Sequence, residues 1–349
     1  MGLPCGCYNT TYAKDMAILR TKTHWALLIG GLILWFSIPL WSSAYLLHII
    51  NYVGILIIAT IGLNILTGYC GQFSIGHAAF VGVGGYTSAI LTTNYGFPFL
   101  GALICAGLMA GLIGMVFGLP ALRVKGFYLI MATLAAQFIL VYIFGHWDSM
   151  TGGALGFHVV AASIGPLVFL NNRSQFYIIM IVLVLGVYFA QNLSRMQLGR
   201  AFVAIRDNDL AAEVMGISLW KYKIIAFFIG CFYAGIAGSL YVHWMRSVIP
   251  EHFSLLSSIW YCAYLIIGGM GTGVGPFLGV GLVVGLTELL RMGYGAVAGI
   301  FPYASVYFAA GNNMLFGLVL ILFLIFEPRG LAHRWGILKT SYRLWPFSY

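Results

Sequence analysis

Charged residues are scarce in this sequence, and long stretches have none. Only 7% of the 349 residues are Asp, Glu, Lys or Arg, whereas a soluble domain carries about a quarter. None of these four residue types occurs from position 23 to position 122, and uncharged runs follow at 126–147, 174–194, 224–245, 252–287 and 292–326. A soluble fold could not cover its surface with so few charges, so the chain is expected to lie in lipid.

The uncharged runs also lack the alternation of polar and apolar residues that strands of a β-barrel require, which excludes a barrel. Each run can hold a helix of about 20 residues, enough to cross a bilayer. The expected fold is therefore an all-α polytopic membrane protein with about ten transmembrane helices. We place them near 24–42, 45–67, 74–93, 98–120, 127–145, 175–192, 223–243, 255–270, 276–293 and 311–326.

Glycine, in contrast, is abundant, with 45 residues. The polar, glycine-rich stretch 64–87 is a candidate for a broken or re-entrant element. Glycines four residues apart let helix backbones approach closely. This spacing predicts close helix packing at Gly107/Gly111, Gly114/Gly118 and Gly281/Gly285.

Basic residues are confined largely to four clusters, at 14–22, 123–125, 195–223 and 329–343. Ten crossings from a cytoplasmic N-terminus place all four clusters in the cytoplasm, as the positive-inside rule expects. The only charged residues of the opposite loops, 146–174 and 244–254, are Asp148, Arg173, Arg246 and Glu251. Both termini are thus predicted to be cytoplasmic, with a terminal segment 1–23, a transmembrane domain 24–331 and a tail 332–349.

Other function classes lack their usual signals. The net charge of +9 does not indicate nucleic-acid binding, because no soluble segment is large enough to present a basic face. Cys5 and Cys7 are too isolated for a metal site. No lysine follows a glycine, so no ATP-binding P-loop exists, and hydrolase motifs are absent. We expect no catalytic residue, no bound metal and no cofactor on this chain.

Residues 195–222 form the most highly charged loop. Apolar residues recur at helical spacing, and the pattern breaks near 207–209. Asp207 or Asn208 is suited to cap a second helix that Gly216 would end. Two short amphipathic helices either dock a partner protein or lie flat on the bilayer, and the pattern leaves both interpretations open.

This loop resembles the cytoplasmic coupling loop of ABC-importer permeases, in the form found in branched-chain amino-acid permeases. With Gly216 aligned to the family glycine, Leu210 stands where the general pattern has Glu. Asp209 and Glu213 are the nearest acidic residues. Residues 63–80, 268–276 and 327–331 resemble three further segments of these permeases, in the same order, and the resemblance covers most of 25–331.

The resemblance implies one permease subunit of a bacterial ABC importer in the inner membrane, for branched-chain amino acids or related small polar solutes such as amides or urea. A second homologous permease, membrane lipid and a periplasmic substrate-binding protein would be its partners. ATP and Mg would be bound by two cytoplasmic ATPase subunits. The expected ATPase-coupling residues are Arg206, Asp207, Asp209, Ala212, Glu213 and Gly216.

Polar groups at membrane depth tend to face a cavity or to form interhelical hydrogen bonds. Asn64, Gln72, Ser74 and His77 are therefore candidates for the translocation pathway, although each also suits an interhelical bond. We expect the latter for Gln137. In the outer loops, Thr151, Gly152 and Gly153 resemble a Thr-Gly-Gly of the same family. The resemblance implies that they face the binding protein, together with Arg246 and Glu251.

Two alternative functions from other classes of membrane protein remain open. A self-sufficient secondary transporter would need ionisable groups at the midplane. Glu288 is almost the only candidate, and its i,i+3 spacing to Arg291 favours a structural ion pair. A membrane scaffold without transport activity would use the 195–222 loop as its interaction surface.

Overall fold

The computed structural model describes residues 22–119, 126–164, 167–297 and 304–344. The basic residues at 14–20 and 123–125, most of the 1–23 segment and the last five residues of the tail lie outside these ranges. The described part is almost entirely helical. Its longer helices are α1 (Lys22–Trp41), α2 (Ala44–Leu63), α3 (His77–Thr93), α4 (Phe99–Gly118), α5 (Phe127–His146), α7 (Asn172–Arg195), α10 (Leu219–Met245), α11 (Leu255–Gly268), α12 (Gly275–Val297), α13 (Ala304–Phe326) and α14 (Leu331–Leu344).

Short elements complete the fold. A π-helix, Asn64–Tyr69, continues α2 and widens its last turns. The shorter helices are α6 (Asp148–Thr151), α8 (Gln197–Asp207) and α9 (Asp209–Val214), with 3-10 turns at Gly153–Leu155 and Pro250–Phe253. The antiparallel strand pairs are β1 (Phe157–His158) with β4 (Ser247–Val248), and β2 (Ser163–Ile164) with β3 (Leu167–Val168).

Each of the ten predicted spans overlaps a helix of the described residues, but fewer than ten of these helices are long and apolar enough to cross a membrane. Within the described residues, six helices are long and apolar enough to cross a membrane. A seventh results if α13 and α14, bent by 50°, form one span. Helices α3 and α11 have 17 and 14 residues, short of the roughly 20 that a bilayer requires.

Glycine-rich backbone explains both short helices. Residues 70–76 are not helical, and α3 begins only after them, at His77. This break falls in the stretch 64–87 that the sequence marks as a candidate for one. Helix α11 ends at Gly268, and the next residue, Gly269, has a φ of 108°, a conformation that other residues rarely adopt.

Helix α10 lies at the centre of the core and packs against α2, α3 and α4. Small residues make this packing close: a Cβ atom at Gly84 in α3 would overlap the backbone of Gly235 in α10. Predicted packing glycines of α4 also meet α10, with Gly107 against Phe232 and Gly111 against Phe228. Gly114 packs against Cys231, and Gly118 packs against Phe227. In α12, by contrast, a Cβ built on Gly281 or Gly285 would have no described neighbouring atom within 4 Å.

Candidate functional site

The loop 195–222 folds as two helices, as the sequence predicts. Asn208 caps the second, α9, because its Oδ1 accepts a hydrogen bond from Ala211 N at 3.1 Å. Gly216 follows the end of α9 with a φ of 85°, in the left-handed region. Of the predicted coupling residues, Ala212 is buried, whereas Arg206, Asp207, Glu213 and Gly216 are exposed and Asp209 is half-buried.

Helix α9 presents apolar side chains outward. Leu210, Val214 and Met215 are 65%, 87% and 82% exposed. Exposed apolar side chains grouped on one short element mark a contact with a protein or with lipid. The α8–α9 pair therefore has a free apolar face at the end of the molecule where α10 begins.

Arg206, the last basic residue of α8, joins this helix pair to the membrane helices. Its Nη1 donates a hydrogen bond to the carbonyl oxygen of Gly68 at 3.0 Å, and its Nη2 lies 2.9 Å from Asp207 Oδ1. A Cβ at Gly71 would lie 3.0 Å from Arg206 Cγ, and one at Gly271 would lie 2.8 Å from its Nη1. Glycine at these two positions leaves room for the guanidinium group.

Asn64 connects two of the segments that the sequence singles out. Its Oδ1 accepts a hydrogen bond from Gly271 N at 2.8 Å, and its Nδ2 donates to Thr272 O at 2.9 Å. Asn64 opens the π-helix, and π-helical turns often mark functional positions. The amide thus holds the glycine-rich turn at 269–274 beside Gly68, directly next to Arg206.

The other predicted pathway residues lie on the chain between the π-helix and α3. Gln72 Nε2 donates to Cys70 O at 3.3 Å. Ser74 is buried, with no partner for its hydroxyl oxygen among the described residues. His77 Nε2 lies 2.9 Å from Ala59 O, and its ring meets the edge of Tyr261. The His77 contacts tie the start of α3 to α2 and α11, and the role of these three residues in a pathway stays a prediction.

Gln137 forms interhelical hydrogen bonds, as expected. Its Oε1 accepts from Ala79 N and from Ser258 Oγ, both at 2.9 Å. Its Nε2 donates to Phe253 O at 2.6 Å. One amide therefore links α5 to α3, to α11 and to the turn before α11.

The outer-loop candidates from the two loops lie together at the far end of α10. Arg246 has a φ of 57°, donates to Leu170 O, and accepts from Val159 N at 3.0 Å. Thr151 is buried, and its Oγ1 donates to Phe144 O at 2.8 Å. Gly152 and Glu251 are exposed, and whether this surface faces a binding protein stays a prediction.

A cavity of about 510 Å³ lies near these loops, between α2, α10, α11 and α12. None of the four predicted pathway residues lines it. Sequence reasoning missed its walls, which come from distant segments. An aromatic spacing of three or four residues in α10 and α11 was the available signal. The aromatic and imidazole side chains of the wall are His48, Tyr52, Tyr241, Trp244, His252, Phe253, Trp260, Tyr261 and Tyr264.

One oppositely charged pair of side chains lines this cavity. Glu288 Oε1 lies 3.6 Å from Arg291 Nη1, so the pair meets on one helix as predicted. Tyr45 donates a hydrogen bond to the other oxygen, Oε2, at 2.5 Å. Burial lowers the pKa of His252, and the neighbouring Glu251 carboxylate partly offsets this change, so the neutral imidazole is favoured at pH 7.

Among the residues that the structure describes, no group of three or more His, Cys, Asp or Glu side chains is placed to hold a metal ion. The geometry offers an exposed apolar surface on α8–α9 at one end and an aromatic cavity with one charged pair near the other. The size of the cavity is that of a small-molecule site.

Comparison with known proteins gives a consistent result. The family model "Branched-chain amino acid transport system / permease component" matches residues 45–324. The high-affinity branched-chain amino acid transport system permease protein LivM of Escherichia coli K12 is 30% identical over 328 residues, covering 87% of this chain and 74% of that protein. LivM of Salmonella typhimurium is 27% identical, covering 91% of this chain and 76% of that protein. The probable branched-chain amino acid transport permease protein LivH of Methanocaldococcus jannaschii is 25% identical, and the match covers 81% of this chain and 90% of that protein. No solved structure matches significantly.

Proposed function

Because the chain belongs to the family of branched-chain amino acid transport permeases, whose model matches residues 45–324, we propose that it is one of two permease subunits of a bacterial ABC importer in the inner membrane. The second, homologous permease completes the pathway. Two cytoplasmic ATPase subunits bind ATP and Mg. A periplasmic binding protein delivers the solute, a branched-chain amino acid or a related small polar molecule.

The observation that carries this proposal is the α8–α9 pair with its exposed apolar residues. Val214 and Met215 are 87% and 82% exposed, and Arg206 fixes the pair to Gly68 at 3.0 Å. An element with an apolar face and a rigid attachment suits force transmission from a partner protein. In this proposal ATP-driven closure of the ATPases moves α9, and Arg206 passes the movement to the π-helix and to the turn held by Asn64.

The proposed orientation places α8–α9 in the cytoplasm and the 146–171 and 246–254 loops outside. Basic residues support it, since Arg195, Arg200, Arg206, Lys221 and Lys223 lie in or beside the helix pair. Helix α10 connects the two ends with 27 residues, long enough to cross a bilayer with a tilt. The aromatic cavity then opens toward the outer side.

The first test is purification of the full complex from native membranes in mild detergent, followed by identification of the co-purifying chains and by uptake in proteoliposomes. We expect two P-loop ATPases and a second permease, and amino-acid uptake that requires ATP and the binding protein. Replacing 209–216 with a flexible Gly-Ser segment of equal length should release the ATPases while the permeases stay together.

Different outcomes identify the competing functions. A chain that purifies alone and transports in vesicles without ATP would replace the importer with a secondary transporter, and loss of that transport in a Glu288→Gln variant would support it. A chain that purifies with other proteins but supports no uptake under any gradient or nucleotide would be a scaffold.

A further inference from the structure

The cavity between α2, α10, α11 and α12 has the size and walls of a small-molecule site. Its volume of about 510 Å³ falls within the roughly 300–1,000 Å³ of such sites. Ring contacts make the wall continuous on one side. The ring of Trp244 stacks on that of Tyr52 with centroids 5.7 Å apart, and its centroid lies 4.5 Å from that of His48. On the other side, the ring centroids of Trp260 and Tyr264 are 6.0 Å apart.

The charged pair of the cavity has unused hydrogen-bonding capacity. Glu288 Oε2 is occupied by Tyr45, but Oε1 is 3.6 Å from Arg291 Nη1, beyond hydrogen-bond distance. Arg291 has five N–H donors, and none of them donates a hydrogen bond to another described residue. One carboxylate oxygen and a guanidinium fork are therefore available side by side.

Two ring nitrogens of wall residues lack hydrogen-bond partners among the described residues. Trp244 Nε1 and His252 Nδ1 are buried, and neither forms a hydrogen bond to a described residue. A buried polar atom without a partner is costly, and in a native protein it calls for an explanation such as a bound molecule. Both belong to side chains that line this cavity.

We propose that this cavity binds an α-amino acid as its zwitterion, with Arg291 on the α-carboxylate, Glu288 on the α-ammonium and the aromatic wall around an apolar side chain. Arginine matches a carboxylate through two parallel hydrogen bonds. An ammonium group beside tyrosine and tryptophan faces also gains cation–π attraction. The proposal rests on the proposed function and adds to it a site for the solute within this subunit.

The test is equilibrium binding of radiolabelled leucine to the purified importer complex, without binding protein or nucleotide, in nanodiscs of phosphatidylglycerol. Unlabelled leucine should compete, whereas leucinamide, which lacks the carboxylate, and 4-methylpentanoate, which lacks the ammonium group, should compete at least about tenfold more weakly. This series needs no variant. Equal competition by all three compounds, or no leucine binding at all, would overturn the proposal.

Variants test the two charged residues directly. Arg291→Lys keeps the charge but removes the planar fork, and Glu288→Gln keeps the shape but removes the charge. Each should weaken leucine binding about tenfold or more. The control is Arg334→Lys, because Arg334 pairs with Glu327 and the two side chains are 60% and 18% exposed, nearly the 59% and 18% of Arg291 and Glu288. This control should bind leucine within about twofold of the wild type. If Arg291→Lys and Glu288→Gln bind leucine as tightly as the control, the assignment is wrong.

A phospholipid headgroup with an ammonium and a phosphate carries similar chemistry. Binding is therefore repeated with phosphatidylethanolamine added to the nanodiscs. Unchanged leucine affinity supports a free amino acid, and loss of leucine binding assigns the pair to a lipid. Failure of the proposed function is seen separately: it would show as the absence of co-purifying ATPases and of ATP-dependent uptake, whatever the leucine affinity.

Discussion

At the scale of single residues, Arg206 holds the central position at the α8–α9 end of the molecule. Its guanidinium group donates a hydrogen bond to Gly68 in the π-helix and forms an ion pair with Asp207, the next residue in α8. Its side chain also lies against Gly71 and Gly271. A guanidinium group suits this place because it is planar and has several donors in fixed directions. The same residue therefore fixes α8 to two separate glycine-rich segments.

Arg206→Lys should reduce ATP-dependent uptake by about three- to tenfold while the complex still assembles. A hydrogen bond to a charged group contributes about 1.5–3 kcal/mol when desolvated, and the 38% exposure of the Arg206 side chain makes its contribution smaller. A lysine ammonium cannot reach the Gly68 carbonyl and the Asp207 carboxylate with the same geometry. The measurement is uptake per ATP hydrolysed in proteoliposomes.

Arg200→Lys is the matched control for that experiment. Arg200 also lies in α8, is exposed, and donates to a backbone carbonyl, but that carbonyl belongs to Arg195, five residues away. We expect uptake close to the wild type, because this bond joins α8 only to the adjoining end of α7 and reaches neither of the glycine-rich segments that Arg206 contacts. Equal uptake by the Arg206 and Arg200 variants would argue against transmission through Arg206.

Gln137 and Asn64 show what residue-level reasoning can predict. Both are polar amides in apolar surroundings, and such groups seek hydrogen bonds, so the interhelical bonds of Gln137 were predictable. The partners of Asn64 are about 207 residues away in the chain. Their register depends on how α11 and α12 pack, and one sequence carries no direct record of that packing.

At the scale of elements, glycine decides which helices can touch. Helices α3 and α10 meet where Gly84 faces Gly235, and a Cβ there would overlap backbone atoms. Gly285 in α12 has the same residue type and helical setting but no neighbour within 4 Å. A four-residue glycine spacing predicted the contacts of α4 correctly, yet it did not predict whether the α12 pair meets another helix within this chain.

Gly84→Ala should therefore destabilise the protein, whereas Gly285→Ala should not. Overpacking a close helix contact costs about 1–3 kcal/mol. An exposed glycine within a helix is about 1 kcal/mol less favourable than alanine, so Gly285→Ala should be neutral or slightly stabilising. Thermal unfolding of the detergent-solubilised variants measures both. A similar loss of stability in the two variants would contradict this account of the helix contacts.

Helix length was the harder property to predict from sequence. The apolar runs are continuous through α3 and α11, so hydropathy alone suggested full spans there. Backbone conformation shortens both helices, through the non-helical residues 70–76 and the φ of 108° at Gly269. The high glycine content of residues 64–87 indicated the first break. The end of α11 was not predictable in this way, because hydropathy carries no information on a backbone dihedral angle.

At the scale of the whole molecule, α10 links the two candidate functional regions. It begins beside α9 and ends at Met245, which lines the aromatic cavity. Its close contacts with α2, α3 and α4 make it part of a rigid core. A movement of α9 would reach the cavity through this core, whereas the cavity walls themselves come from four helices that only the folded chain brings together.

Val214→Asp tests the end of the molecule that is proposed to meet the ATPases. Val214 is 87% exposed, so the substitution should leave the permease fold intact. If Val214 enters a groove of the partner, its burial contributes about 1.5–3 kcal/mol, and a charge there costs more. We expect the ATPases to be lost from the purified complex and uptake to fall at least about tenfold.

Leu155→Asp is the control, because Leu155 is 90% exposed at the opposite end, in the loop beside β1. It should leave ATPase binding unchanged. The pair of variants also decides between the two interpretations of α9 that its amphipathic pattern left open. A helix that lies on the bilayer would lose contact with lipid in the Val214 variant but keep the ATPases bound, because their contact would then lie elsewhere. Retained ATPases together with normal uptake would show that α9 is not the coupling surface, whatever the family resemblance of its sequence.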